Sequence, residues 1–253
     1  GLASPRLDAE VLVAHVLGVD RVRLYMDLDR PLGADELAAV RALVVRRRQR
    51  EPVAYLTGKR EFYRREFQVS PAVLVPRPDT ETLIDRALSL LPADRPLQVL
   101  DLCTGSGAIA VTLAAERPLV QVVATDLSSE ALEVAASNAR KHGVSDRLEL
   151  RQGDLFAALI PGVQFDLIAA NPPYVLDTQR AELAPELHHE PGLALYAGTQ
   201  GLDVLTRLCA QVADWLAPAG AVLLEVGAGQ APDVLQLLAA EPRLTQLRTQ
   251  RDL

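Results

Sequence analysis

The sequence predicts a doubly wound α/β fold: a mostly parallel sheet with helices on both faces, preceded by a small helical domain and a β-hairpin linker. Three observations predict it. From residue 97 onward, short apolar runs rich in Val, Leu and Ile alternate with segments of helical periodicity. Residues 1–50 read as helices. Residues 51–80 change character, with short alternating runs punctuated by Gly and Pro. The chain divides accordingly into a helical domain at 1–50, a hairpin linker at 51–80 and a main domain at 81–253, with no internal repeat.

Apolar spacing over 8–17 predicts a first helix that stops at Gly18, and Gly33-Ala-Asp-Glu opens a second running towards Arg50. Phe67 with Val69, then Val73 with Val75, suggest short strands with turns at Gly58 and Pro71. In Pro76-Arg-Pro-Asp-Thr-Glu81 the prolines fix an extended approach, and Asp79 or Thr80 is placed to cap a helix starting near Glu81. Strands follow at 97–102, 120–125, 147–151, 165–170 and 221–226. Helices lie between them at 108–116 and 129–141, then at 202–216 and 231–240.

Composition narrows the function. The 253 residues are 49% hydrophobic and 23% charged, as in a well-packed soluble domain. No run approaches the roughly 20 apolar residues needed to cross a bilayer, and no signal peptide opens the chain, so a cytoplasmic location is expected. The first residue is Gly rather than Met, so the natural start is expected upstream. Cys103 and Cys209 are too few and too far apart for a disulfide framework. His188 and His189 are adjacent and ill-placed to share a metal, and none is expected. The net charge of −7 divides into +3 over residues 1–80 and −10 over the rest, which argues against a protein gripping long nucleic acid. Arg46, Arg47, Arg48 and Arg50 read as the solvated face of a helix, with an acidic or RNA-associated partner left open. Lysine is confined to Lys59 and Lys141, and with abundant Ala, Leu and Val this suggests a GC-rich bacterial genome.

The first segment that carries chemistry is Val99-Leu-Asp-Leu-Cys-Thr-Gly-Ser-Gly-Ala108: a strand, a glycine turn, then an apolar helix. Gly105 and Gly107 let backbone approach a ligand, and the helix start offers free N–H groups. Such a turn also serves dinucleotides and purely structural roles, so it is weak evidence alone. No third glycine completes G-x-G-x-x-G, and Asp101 before the turn would repel a pyrophosphate. An acid there suits a ligand with cationic groups, such as the ammonium and sulfonium of S-adenosylmethionine. Asp126, about 20 residues beyond the turn at the next strand end, is placed for a ribose diol. In Gly153-Asp-Leu-Phe156, Asp154 could meet an adenine edge and Leu155 its face. Strand-end acids also commonly cap helices or face water; it is their succession that points to a nucleoside site.

The second segment is Asn171-Pro-Pro-Tyr174, directly after strand 165–170 and expected at the carboxyl end of the central strand. A turn explains the paired prolines, but not the whole tetrapeptide at this place. A planar amide or aromatic amine offers two N–H donors and a delocalised lone pair. The Asn171 side-chain oxygen can accept one donor and the Pro172 carbonyl the other, while Pro172 and Pro173 bring no competing N–H. Holding both hydrogens aligns the nitrogen with a methyl donor, and Tyr174 can stack on the substrate plane.

Together these segments resemble the class I amino methyltransferases, which depend on S-adenosylmethionine and include adenine-N6 enzymes. Glu51-Pro-Val-Ala-Tyr-Leu-Thr-Gly58, Val75-Pro-Arg-Pro-Asp-Thr-Glu81 and Glu190-Pro-Gly-Leu-Ala-Leu with Gly198 and Gly201-Leu narrow the likeness to the HemK/PrmC family over nearly the whole chain. The resemblance implies methylation of the Gly-Gly-Gln glutamine of bacterial class 1 release factors, with S-adenosylhomocysteine as by-product; a monomer is expected, though the sequence itself does not set the oligomeric state. The resemblance places the cofactor against Cys103, Thr104, Gly105, Ser106, Gly107, Asp126, Leu155 and Asn171, to which the strand-end reading adds Asp101 and Asp154. The glutamine falls among Asn171, Pro172, Pro173 and Tyr174, and Arg77 is a further candidate for substrate binding. Cys103 stands where the family usually has Gly, which a negative φ would tolerate. Leu155 replaces a larger aromatic, so adenine packing is expected to be looser. A last antiparallel strand is expected to be missing beyond Arg251-Asp-Leu253. A ribosomal-protein glutamine methyltransferase ranks second, since its relatives carry Arg-Ser-Pro where this chain has Arg77-Pro-Asp. A nucleic-acid adenine methyltransferase and a non-catalytic docking module rank lower.

Overall fold

The computed structural model describes residues 2, 4–27 and 29–251; Asp252 and Leu253, where the chain end falls, lie outside them. The N-terminal part holds α1 (Pro5–Leu17), α2 (Arg21–Met26), α3 (Ala34–Arg48) and α4 (Val53–Thr57). Gly18 closes α1 in the left-handed conformation, at φ 65°, as its position after the last apolar residue predicts. Asp20 caps α2, a helix the apolar spacing does not announce, by accepting from the Arg23 N–H.

The linker differs from expectation. Its hairpin pairs β1 (Lys59–Phe62) with β2 (Arg65–Gln68), and the chain reverses at Tyr63 and Arg64, both at positive φ. Gly58 caps α4 instead of making the hairpin turn. Val73 and Val75 form no strand. Their alternation reflects burial with Tyr55, Val69 and Ala131 in a small apolar cluster. Phe62 and Phe67, both fully buried, meet edge to face with ring centroids 5.9 Å apart and pin the hairpin to the main core.

The main domain runs α5 (Thr80–Leu90), β3 (Leu97–Leu102), α6 (Ala108–Glu116), β4 (Val120–Asp126), α7 (Ser129–Lys141), β5 (Leu148–Gln152) and β6 (Phe165–Ala170). It ends with α8 (Asp203–Cys209), α9 (Val212–Trp215), β7 (Leu216–Leu224) and α10 (Ala231–Ala239). The predicted helix at 202–216 is thus broken in two, and β7 begins earlier than its apolar run. Helix α5 starts at Thr80, and Asp79 makes no side-chain cap.

The sheet order is β5-β4-β3-β6-β7, with every pairing parallel. β3 is the central strand, and β6 stands beside it rather than being it. Val99 on β3 belongs to the core under α5, α6 and α7, while Leu100 and Leu102 join the core under α8 and α10. A strand buried on both faces needs the near-continuous apolar run that made it legible. Because the chain builds β4 and β5 to one side of β3 and then β6 and β7 to the other, the strand order reverses between β3 and β6. A crevice opens there at the carboxyl ends.

Part of the basic cluster is not solvated. Arg47 is only 8% exposed; its guanidinium pairs with Asp8 at 2.7 Å and with Glu186 at 3.0 Å. Arg50 reaches Glu186 at 3.5 Å, Arg46 pairs with Glu51, and His189 Nε2 lies 3.0 Å from the Gln49 carbonyl. The contacts to Glu186 and His189 join the N-terminal helices to the segment that follows Asn171-Pro-Pro-Tyr174, beyond β6. Among the described residues no helix is long and apolar enough to cross a membrane.

Candidate active site

The glycine turn is set by Asp101, which has no exposed surface at the end of β3. Its Oδ2 accepts from the Thr104 hydroxyl at 2.6 Å and from the Ala110 N–H at 3.1 Å, while its Oδ1 is buried with no protein partner. Gly105 and Gly107 are at φ 54° and 78°. A Cβ on Gly107 would stand 3.2 Å from Ala135 Cβ, so the turn lies directly on α7. A Cβ on Gly105 would meet nothing within 4 Å, which leaves its outer face open. Beneath, the buried Asn138 donates to the Ser106 and Gln68 carbonyls and accepts from the Gln68 N–H, tying turn to hairpin.

Cys103 also lies in the left-handed region, at φ 58°, against the negative φ expected of a residue standing in for Gly. A Cβ in that conformation costs about 1–2 kcal/mol. The next residue helps hold it there, with the Thr104 N–H donating to the Thr125 carbonyl at 3.0 Å. Burial pushes the Cys103 thiol up, with the charge of Asp126 adding to the effect, so it stays protonated.

Asp126 closes β4. Its Oδ2 accepts from the Gly105 N–H at 2.8 Å and its Oδ1 from the Ser128 N–H at 2.9 Å. Each oxygen keeps a second lone pair for a ligand hydroxyl. Asp154 is exposed and paired with Arg207 at 2.5 Å, and the buried Leu155 beside it has φ 50°.

These groups line one cleft at the β3–β6 crevice, with about 1220 Å³ of empty space including its mouth. Its walls hold Cys103 to Ser106, Asp126, Asp154, Leu155, Asn171, Pro173 and Arg77. Asp101 and Gly107 lie beneath the loop instead of on the wall. Pro172 is buried, and Tyr174 is turned away, half-buried in the core beside α8 and α10, so it is not the aromatic plane expected over a substrate. Tyr196 lines the cleft in its place, with the Arg180 guanidinium 4.5 Å from its ring centre. Arg77 is held at 2.6 Å by Glu190, whose other oxygen accepts from the Val75 N–H, so two of the family-like segments clasp each other.

Asn171 follows β6. Its amide nitrogen donates to Thr80 Oγ1 at 3.2 Å, and the Thr80 hydroxyl donates to Glu225 at 2.7 Å. Gln230, also unannounced by the sequence, donates to the Tyr174 and Gly201 carbonyls and accepts from the Gly227 N–H. Gly201, at φ 69°, lies so close that a Cβ would strike the Tyr174 carbonyl. Among the described residues no cluster of three or more His, Cys, Asp or Glu could hold a metal.

Residues 1–58 match the PrmC N-terminal domain, and residues 83–200 match the Methyltransferase small domain. A release factor glutamine methyltransferase of Koribacter versatilis (strain Ellin345) is 44% identical, over 93% of this chain and 84% of that protein. One from Geobacter sulfurreducens is 42% identical, over 94% and 83%. The chain belongs to the HemK/PrmC methyltransferase family. A solved methyltransferase from Pyrococcus furiosus has the same fold, with TM-score 0.52 at 17% identity, over 79% of this chain and 85% of that one.

The burial of Asp101 in this HemK/PrmC chain has a measurable consequence. Desolvation pushes its carboxyl from 3.8 up to about 7, with the Asp126 charge adding to the rise. Between those values the folded chain holds a proton that the unfolded chain releases, so stability falls as pH climbs through the window. Asp101→Asn removes the charge at constant shape. Its denaturation free energy is expected to gain on the native protein by a few kcal/mol between pH 4 and pH 8. Parallel pH profiles for the two proteins would refute the assignment.

Proposed function

We propose that this HemK/PrmC enzyme transfers a methyl group from S-adenosylmethionine to the side-chain nitrogen of the Gly-Gly-Gln glutamine of bacterial class 1 release factors. One observation carries the reading: the glycine turn and Asn171, from neighbouring strands, wall a single cleft. The names of relatives at more than 40% identity, release factor glutamine methyltransferases, support a release factor glutamine as the substrate.

The residues suit such a donor. Asp126 has lone pairs for a ribose diol, Leu155 gives an apolar face for adenine, and the open face of Gly105 leaves room for a chain passing over the turn. Asp101, buried below that turn and off the cleft wall, serves the donor indirectly by holding the turn in shape through Thr104 and the Ala110 N–H. When bound, S-adenosylmethionine supplies an electrophilic methyl on a positively charged sulfur.

The protein's part is to present the nucleophile. A carboxamide nitrogen is weakly nucleophilic because its lone pair is delocalised, so alignment supplies much of the acceleration. Asn171 Oδ1 accepts one amide hydrogen and the Pro172 carbonyl the other. Both acceptors favour the charge that develops on nitrogen, and the released proton needs no strong base. Neither proline carries an N–H to compete. Tyr196, together with Pro191 and Leu193, gives the glutamine's methylene stem an apolar wall.

Incubation with labelled S-adenosylmethionine and a purified release factor, followed by mass mapping, is expected to find one methyl on that glutamine. Label on another residue, or none on the factor, would overturn the reading.

A further inference from the structure

The amide of Asn171 can be held in either of two orientations of nearly identical shape, and only one serves the proposed reaction. With Oδ1 towards the substrate it accepts a hydrogen. Flipped, it opposes one NH2 to another. Something must choose. The groups that bond Asn171 come from separate elements: Thr80 is the first residue of α5, and Glu225 follows β7. The Glu225 N–H donates to the Ala170 carbonyl at 3.0 Å, which fixes the carboxylate beside the end of β6.

We propose that Thr80 and Glu225 are positioning residues that set the polarity of Asn171 and thereby make the site selective for a hydrogen-donating amide. A carboxylate can only accept, so Glu225 takes the single hydroxyl proton of Thr80. Thr80 then has only lone pairs to offer Asn171, and the Asn171 NH2 must turn towards it. Oδ1 is left on the opposite edge of the amide. Thr80 is 4% exposed, so water is a poor substitute for either partner. Capping, the role that Pro-Asp-Thr-Glu suggests in the sequence, is not what this hydroxyl does.

The inference rests on the proposed glutamine chemistry, and the test separates the two. Three variants are compared with the native enzyme: Glu225→Gln, Thr80→Val and Thr80→Ser. A Gln at 225 can present NH2 to Thr80, and a Val at 80 bonds neither neighbour, so both release the constraint; a Ser at 80 retains it. With a Gly-Gly-Gln peptide, kcat is expected to fall roughly tenfold or more in Glu225→Gln and Thr80→Val and to stay within about threefold of native in Thr80→Ser. The affinity for S-adenosylhomocysteine should hold.

The decisive readout is a Gly-Gly-Glu peptide as competitive inhibitor. Its carboxylate should bind the Glu225→Gln and Thr80→Val enzymes more tightly than the native one, because a flipped Asn171 donates to it. A merely structural role would weaken both peptides together, and that result overturns the inference. So would an unchanged ratio of the two affinities, or a Thr80→Ser enzyme as impaired as Thr80→Val. If the native enzyme fails to methylate the Gly-Gly-Gln peptide and whole release factor alike, the failure belongs to the proposed function instead.

Discussion

Asn171→Ala is expected to lower kcat for methyl transfer to a release factor by about 10³-fold, the scale on which removing one preorganised polar group from a reacting centre acts. The loss should fall on kcat, because the substrate protein has other surfaces to hold it, whereas the amide has few acceptors. Asn171 is half-buried and, among the described residues, its side chain bonds Thr80 alone, so the fold should survive with a change of about 1 kcal/mol. Retained binding of the release factor with transfer abolished would separate an enzyme from a docking module. Transfer at near-native rate in the variant would refute the amide clamp.

Asp126→Ala is expected to weaken cofactor binding by about 10²-fold. Two effects combine. The carboxylate that would accept ribose hydroxyls is gone, and charge-assisted bonds are worth about 1.5–3 kcal/mol. The Gly105 and Ser128 N–H groups also lose their acceptor, so the glycine turn loosens. Asp126→Asn keeps an oxygen for only one of those N–H groups and should fall between the two. Calorimetry with S-adenosylhomocysteine checks the order. Equal affinities for all three proteins would remove Asp126 from the site.

Much of the fold was legible because a parallel sheet covered on both faces demands strong patterns. The run at 97–102 and the helix at 108–116 match β3 and α6 residue for residue, and the glycine turn between them lies where its residues placed it. The hairpin was misread because its turn is made by non-glycine residues, Tyr63 and Arg64, at positive φ, whereas the turn signals in the sequence stand at Gly58 and Pro71. Val73 and Val75 alternate for burial rather than pairing. Within the site, Asp126 and Asn171 stood out because a strand end carried each. Glu225, Gln230 and Asn138 did not, since nearly all their partners lie 29 to 145 residues away and no local pattern marks them. Tyr174 was assigned by its place in the tetrapeptide; the backbone beyond Pro173 turns its ring into the core and leaves the cleft to Tyr196.

The two ion pairs of Arg47 bear on how truncation data should be read. Removing the first fifty residues would strip Glu186 of both its arginines and His189 of the Gln49 carbonyl, on a segment that ends at the Glu190 clasp over the cleft. Reversing the charge of Arg47 or Arg50 would do similar damage from within. Lost turnover in such proteins would therefore confound a missing recognition surface with a deformed reaction chamber. Arg48, exposed and absent from every one of these pairs, is the position at which charge reversal probes the surface alone.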